Sequence, residues 1–470
     1  MYPKYSFIFL VILVLLQNCS IKNDKTSFDG FWEGPHPEDA DKHFYIQIIE
    51  KNDSVKAIGF WTYHKFYDSK FNIDSIILNS DSIRFFIPDW NCFYLGRIYD
   101  SNLIKGGFSC KNEPFDTIDL IKNNEVKHFL TEAKPNCNNA NYRYQYQEPD
   151  FFDENILATQ FQTPNDSLFI YSLISEIITN QYGRINSFLL IKNDSLICEE
   201  YFYGYTRGDL HQIESATKSI TSLLVGIAKD KGMISNIHEP LFKIFPEYNH
   251  LRIGDYRKIT LVNILSMTSC FSNEYEPYKN YNRIEYSLKR ELIAPIGEQF
   301  IYDGGNTEIL GAVIKRKTGM YADIFADKFL FEPLGIKKYD WSIFKQDSFP
   351  CMGGSLQMLP IDMIKIGLLV QNKGMYNSKQ IISNDWIKES TSTKTKTHIK
   401  GDDYGYQWWK INIESNNKKY ETIWANGMGS QFIYIVPELN VVIVTTGYNY
   451  EYDSWAITDG IGKYLYLLEN

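Results

Sequence analysis

Two hairpin-like segments bracket the larger, C-terminal part of this chain and restrict what it can fold into. Ser187-Phe-Leu-Leu-Ile-Lys-Asn-Asp-Ser-Leu-Ile-Cys-Glu-Glu-Tyr-Phe202 is apolar on both sides of an Asn193-Asp194 turn. Near the C-terminus, Phe432–Val436 and Val441–Thr446 flank Pro437-Glu-Leu-Asn440. Strand-forming runs interrupted by turn residues read as β-hairpins. Leu168–Thr179 reads as a helix, helical patterns fill the interval between the hairpins, and Trp455–Leu468 reads as a closing helix. Strands at both ends with helices between them predict an α/β domain over 161–470, with one sheet completed late by the C-terminus.

The preceding residues have a different texture. Phe44–Glu50 and Val55–Trp61, joined at Lys51-Asn-Asp-Ser54, read as a hairpin. Short strands follow at Ile73–Leu78, Ser82–Ile87, Phe93–Tyr99, Leu103–Phe108 and Thr117–Ile121. Residues 28–126 are therefore expected to form a small all-β barrel or sandwich. The opening Gly30-Phe-Trp-Glu-Gly34 resembles the start of lipocalin-like barrels, and no catalytic constellation falls in this segment. Residues 127–160, rich in Asn, Gln, Tyr and acidic groups, read as a linker packed against one of its neighbours.

At the N-terminus, one lysine precedes an apolar run of ten residues, Phe7–Leu16. That is too short for a membrane-spanning helix and fits the core of an export signal over residues 1–19. Leu15-Leu16-Gln17-Asn18-Cys19 resembles a bacterial lipobox, although Asn18 stands where Gly, Ala or Ser is usual. Cys19 is the candidate lipidation position and 20–27 a tether. An exported, periplasmic or outer-membrane-anchored protein is expected, with the lipid anchor as its link to the membrane. An ordinary cleaved signal followed by an incidental cysteine is the alternative. The remaining cysteines stand at 92, 110, 137, 198, 270 and 351. Their wide spacings leave the pairing open, and Cys92 and Cys110, on neighbouring strand-like segments, are the first pair to check.

The 470 residues carry a net charge of −9 without a basic block, which argues against nucleic acid as a partner. The eight histidines form no HExxH, HxH or Cys/His cluster, so neither a metal nor another cofactor is expected. A small-molecule or peptide substrate is the expected partner.

Ser-x-x-Lys occurs at Ser215-Ala-Thr-Lys218, Ser342-Ile-Phe-Lys345 and Ser415-Asn-Asn-Lys418. A nucleophilic serine needs a base within hydrogen-bond reach and donors for the oxyanion. Residues i and i+3 at the first turn of a helix share a face, where free N–H groups favour developing negative charge. Only Ser215 begins such a helix: Ile220, Leu223, Leu224 and Ile227 follow at helical spacing, with Gly226 left small for close packing. Ser415 sits in a polar turn and Ser342 in a short connection.

Further segments extend this pattern. Leu261-Val-Asn-Ile-Leu-Ser-Met-Thr-Ser-Cys270, Ile296-Gly-Glu-Gln-Phe-Ile-Tyr302-Asp-Gly-Gly-Asn306-Thr-Glu-Ile-Leu-Gly311, Gly353–Asp362, Tyr404–Trp409 and Ala425–Pro437 follow the Ser215 helix in order. Together these segments resemble the serine β-lactamase-related hydrolases, the group containing class C β-lactamases, D-peptidases and family VIII-type esterases. The resemblance covers roughly 161–470. It implies an antiparallel sheet flanked by helices with a helical subdomain over the cleft. It also implies Ser215 as acylated nucleophile, Lys218 as its activator and Tyr302 as the proton shuttle to the leaving group. The N–H groups of Ser215 and Met428 would form the oxyanion hole, beside Asn426 and with Gly427 allowing close approach of substrate. Lys317-Thr-Gly319 matches a helix end of the family and not its active-site strand, and His211 reads as structural.

The departures concern substrate grip. Tyr302-Asp-Gly304 lacks the asparagine of the family's Tyr-x-Asn motif, and Ala425-Asn-Gly427 has neither Lys nor His to hold a carboxylate. Lost positioning costs rate. The resemblance therefore points to the esterase and aminohexanoate-oligomer amide hydrolase branch and away from efficient β-lactamase activity. A catalytically silent binding lipoprotein, or a surface binding protein whose β domain does the work, are the rival readings.

Overall fold

The computed structural model describes residue 28 and residues 30–35, 42–51, 54–63, 66–88, 91–110, 116–123, 132–150, 152–153, 156–251, 254–273, 282–344, 347–399, 402–450 and 453–469. The expected signal, Cys19 and the tether lie outside them. Among the described residues no helix is long and apolar enough to cross a membrane. The chain divides into two compact units, Met1–Val126 and Lys127–Asn470.

In the first unit, alternation of apolar and polar residues builds antiparallel strands with one buried face. Ile83, Phe85 and Ile87 point inward from Ser82–Ile87, and Cys92 and Tyr94 do so from Cys92–Ile98. The ladder runs Phe66–Asn72, Ser54–Tyr63, Lys42–Lys51, Gly30–Pro35, Leu120–Lys122, Leu103–Cys110, Cys92–Ile98, Ser82–Ile87 and Asp74–Leu78. The two strands at its ends are separated in sequence by Ile73 alone. One residue cannot span a flat sheet of this width, so the sheet rolls around a core containing Trp32, Ile46, Phe85, Tyr94, Ile104 and Phe108. Cys92 and Cys110 face each other across the ladder and are disulfide-bonded. A cross-link closing a loop of this size contributes about 3 kcal/mol in the chain-entropy account.

The second unit is built on a sheet of ten strands. Its first helix, α1 (Pro164–Ile178), is followed by the hairpin β1 (Ile185–Lys192) and β2 (Ser195–Tyr201). Later helices include α2 (Thr217–Asp230), α3 (Arg283–Lys289), α4 (Gly304–Thr318) and α5 (Pro360–Gln371). Strands β3 (Trp409–Ser415), β4 (Lys418–Gly427), β5 (Gln431–Val436) and β6 (Val441–Gly447) come next, and α6 (Ala456–Tyr464) closes the chain. The central order is β2-β1-β6-β5-β4-β3, so the late hairpin β5–β6 docks beside the early hairpin β1–β2. This is the predicted α/β fold, with its antiparallel core completed by the C-terminus.

β1, β5 and β6 are buried along their whole length, because helices cover both faces. Leu189, Ile191, Ile433 and Val442 face the core that contains α2 and α5. Phe188, Leu190, Phe432 and Tyr434 face the one that contains α1 and α6. Period-two alternation thus divides one apolar strand between two cores.

Helix α1 starts earlier than the apolar pattern predicts. Thr163 and Asp166 form a capping box with Pro164 in the first turn, and Asp166 also receives the buried Lys192 ammonium at 2.8 Å. The segment expected as a linker lies along this unit: Tyr144 is buried in its core, and Ile156–Ala158 adds a strand parallel to β2.

Candidate active site

Ser215 stands in a 3-10 turn, Glu214–Ala216, that runs directly into α2. Glu214 takes a left-handed conformation, φ 49°, unusual for a side chain of this kind. Its carboxylate is fixed by Gln212 Nε2 and the Tyr450 hydroxyl, each at 2.9 Å. The turn ends with Ser215 partly open and Lys218 one turn on, buried to 4% exposure. The Lys218 ammonium donates to Ser215 Oγ at 2.9 Å and to the Gly353 carbonyl at 2.5 Å. Along the rest of α2, Gly226 leaves room for the Trp386 ring, whose Nε1 donates to Ser222 O at 3.1 Å. Helix α2 is therefore locked into the core at its far end.

Tyr302 reaches the same point from another element. Lys218 Nζ lies 5.1 Å from its ring centroid, so the cation meets the phenol through its ring face. Among the described residues the Tyr302 hydroxyl has no hydrogen-bond partner. The ring rests against Trp409 and Tyr404 at centroid distances of 5.4 and 6.3 Å. Burial, and then the neighbouring Tyr302, hold the Tyr404 hydroxyl well above the usual phenol range.

The residue after Tyr302 caps α4. Asp303 accepts from the N–H groups of Gly305 and Asn306 and pairs with Arg290 at 2.6 Å, both side chains being buried. Aspartate in the family's Tyr-x-Asn stretch thus fixes the start of the helix that carries Tyr302's neighbours. Further along α4, Glu308 is buried to 3% exposure. It accepts from Arg283 at 3.1 Å and from the N–H groups of Met352 and Gly353 at 3.0 and 3.3 Å.

The facing strand end has a different character. A Cβ on Gly427 would come 2.2 Å from the Ile213 carbonyl, two residues before Ser215, so only glycine lets β4 approach the Ser215 turn this closely. Met428 beyond it is 61% exposed, Asn426 half-buried and Ala425 buried.

The rejected motifs fall elsewhere. Lys317 pairs with Glu239 at 2.6 Å at the end of α4, which Gly319 closes with φ 76°. Ser415 Oγ accepts from the Tyr466 N–H, and Lys418 pairs with Glu438 and Glu469. Lys345 lies outside the described residues. His211 is buried on a short strand against Leu356–Met358, with its ring 4.7 Å from Tyr205. No metal-binding cluster of His, Cys, Asp and Glu occurs among the described residues. Sequence reasoning did not single out Arg283, Arg290, Glu308 or the Gly353 carbonyl.

Residues 186–447 match the Beta-lactamase family. A 6-aminohexanoate-dimer hydrolase of Paenarthrobacter ureafaciens is 20% identical over 288 residues, 55% of this chain and 71% of the relative. A penicillin-binding protein homologue from Caulobacter crescentus superposes with a TM-score of 0.53 at 12% identity, covering 66% of this chain and 99% of the other. An octameric penicillin-binding protein homologue from Pyrococcus abyssi gives 0.51 at 17% identity, over 65% and 78%. The fold is that of these proteins, and the matched segment extends from β1 through the Ser215 turn to the end of β6. The chain belongs to the beta-lactamase family of serine hydrolases.

Proposed function

We propose that this protein is an exported hydrolase that cleaves an amide or ester bond of a small molecule or peptide through an acyl-Ser215 intermediate. The observation that carries the reading is the buried Lys218 ammonium, held at once by Ser215 Oγ, the Gly353 carbonyl and the Tyr302 ring. In this mechanism Ser215 Oγ attacks the substrate carbonyl as its proton passes to the Tyr302 oxygen, a phenolate held beside the Lys218 ammonium. The N–H groups of Ser215 and Met428 receive the oxyanion. Tyr302 returns the proton to the departing amine or alcohol, and water then releases the acid.

The similarity to a 6-aminohexanoate-dimer hydrolase supports a linear amide as one substrate class. Ala425 offers no cation to a substrate carboxylate, which disfavours β-lactams and D-peptide termini. The Phe7–Leu16 run and the Cys92–Cys110 disulfide both support a destination outside the cytoplasm, with Cys19 as the lipid-bearing residue. The test is a panel of short acyl esters, linear amides and a chromogenic cephalosporin. Esters or amides should turn over in wild type but not in Ser215→Ala, with the cephalosporin slower by roughly 100-fold in kcat/KM. A folded wild type that turns over none of them would favour a binding protein instead.

A further inference from the structure

The geometry points to Glu308 as a positioning residue, whose carboxylate holds the 351–354 loop so that the Gly353 carbonyl meets Lys218. This inference rests on the acyl-Ser215 reading and deepens it. The path is continuous and every link is short. Arg283 Nη1 donates to Glu308 Oε2 at 3.1 Å, and the Met352 and Gly353 N–H groups donate to Oε1 at 3.0 and 3.3 Å. The carbonyl of that same Gly353 accepts from Lys218 at 2.5 Å, and Lys218 donates to Ser215 at 2.9 Å. Gly353 is wedged between the Lys218 ammonium and Gly304, each 3.6 Å from where its Cβ would lie.

A carboxylate suits this place better than an amide. Three donors converge on its two oxygens, and a glutamine would turn an N–H₂ toward one of them. The charges facing Glu308 are Arg283 from α3 and Lys218 from α2. Asp347 shares Arg283, at 2.8 Å, and the Cys351 thiol adjoins the loop, pushed up to about 12 by burial and by Glu308. Burial pushes the Glu308 carboxyl up to about 7, against the opposing pull of Arg283, the two N–H groups and Lys218. Below that pH the acid is protonated, and the charge-assisted grip on Gly353 weakens.

The experiment follows the rate of Ser215 labelling by a fluorophosphonate from pH 5 to 9, in the full-length wild type, Glu308→Gln and Asp347→Asn. Wild type should lose rate as pH falls through about 7. Glu308→Gln should run roughly 100-fold slower at pH 8, with that acid limb gone. Asp347→Asn removes the second carboxylate on Arg283, so Arg283 acts more fully on Glu308 and the limb should move to lower pH. Asp347→Asn keeps the idea testable if Glu308→Gln does not fold. A folded Glu308→Gln that labels at the wild-type rate, or that keeps the limb, overturns the assignment. So does an Asp347→Asn limb at the wild-type position. A wild type that takes no label overturns both this inference and the reading beneath it.

Discussion

The two sides of the Ser215 site are built to different standards. On one side Ser215, Lys218 and Tyr302 are set in buried structure: Lys218 has three neighbours, Asp303 pairs with Arg290, and Glu308 with Arg283. On the other, the end of β4 brings Ala425, a half-buried Asn426 and an exposed Met428, with no Lys or His in the motif. Buried ion pairs are costly to assemble and strongly destabilising to break from one side, so they fix geometry more than they add stability. The difference teaches that the residues proposed to handle the proton are held by buried partners, while the strand end proposed to meet the substrate is open and carries no cation in its motif. Fold alone would not have said so.

Removing the Tyr302 hydroxyl attacks the rigid side directly. Tyr302→Phe should lower turnover by roughly 10²–10⁴-fold while the melting temperature holds. Near-normal turnover would take Tyr302 out of the mechanism. A milder change adds a cation to the open side. Met428→Lys, at the exposed position there, should raise kcat/KM for a carboxylate-bearing cephalosporin by about tenfold, the value of one charged contact. No gain would mean that the missing cation is not what excludes such substrates. The smallest effect is expected away from both sides. Lys317→Ala breaks a half-exposed pair with Glu239 and should cost about 1 kcal/mol or less, leaving turnover within about twofold. A large loss there would mean that the site has been drawn around the wrong motif.

The parts that could be read in the sequence are those whose signals are local. The β5–β6 hairpin announces itself by β-branched runs around Pro437–Asn440, and the Ser215 helix by its apolar spacing. Tyr302 stands out because its segment lies in order with the others, and the structure brings its ring beside Lys218. The start of α1 was missed because the apolar pattern begins only at Leu168, whereas Thr163 and Asp166 signal the cap. The supporting shell escaped because its members meet only in three dimensions. Arg283 and Arg290 look like ordinary helix charges, and Glu308 is 90 residues from Lys218 in sequence. Nothing in the sequence marks the Gly353 carbonyl as the partner of Lys218.

The central claim is that Ser215 is an activated nucleophile. Intact-mass measurement after incubation with a fluorophosphonate, on wild type and Ser215→Ala in parallel, tests it most directly. A single adduct on wild type, absent from Ser215→Ala, is the predicted result. A folded wild type that remains unmodified, or an adduct that persists in Ser215→Ala, would contradict it.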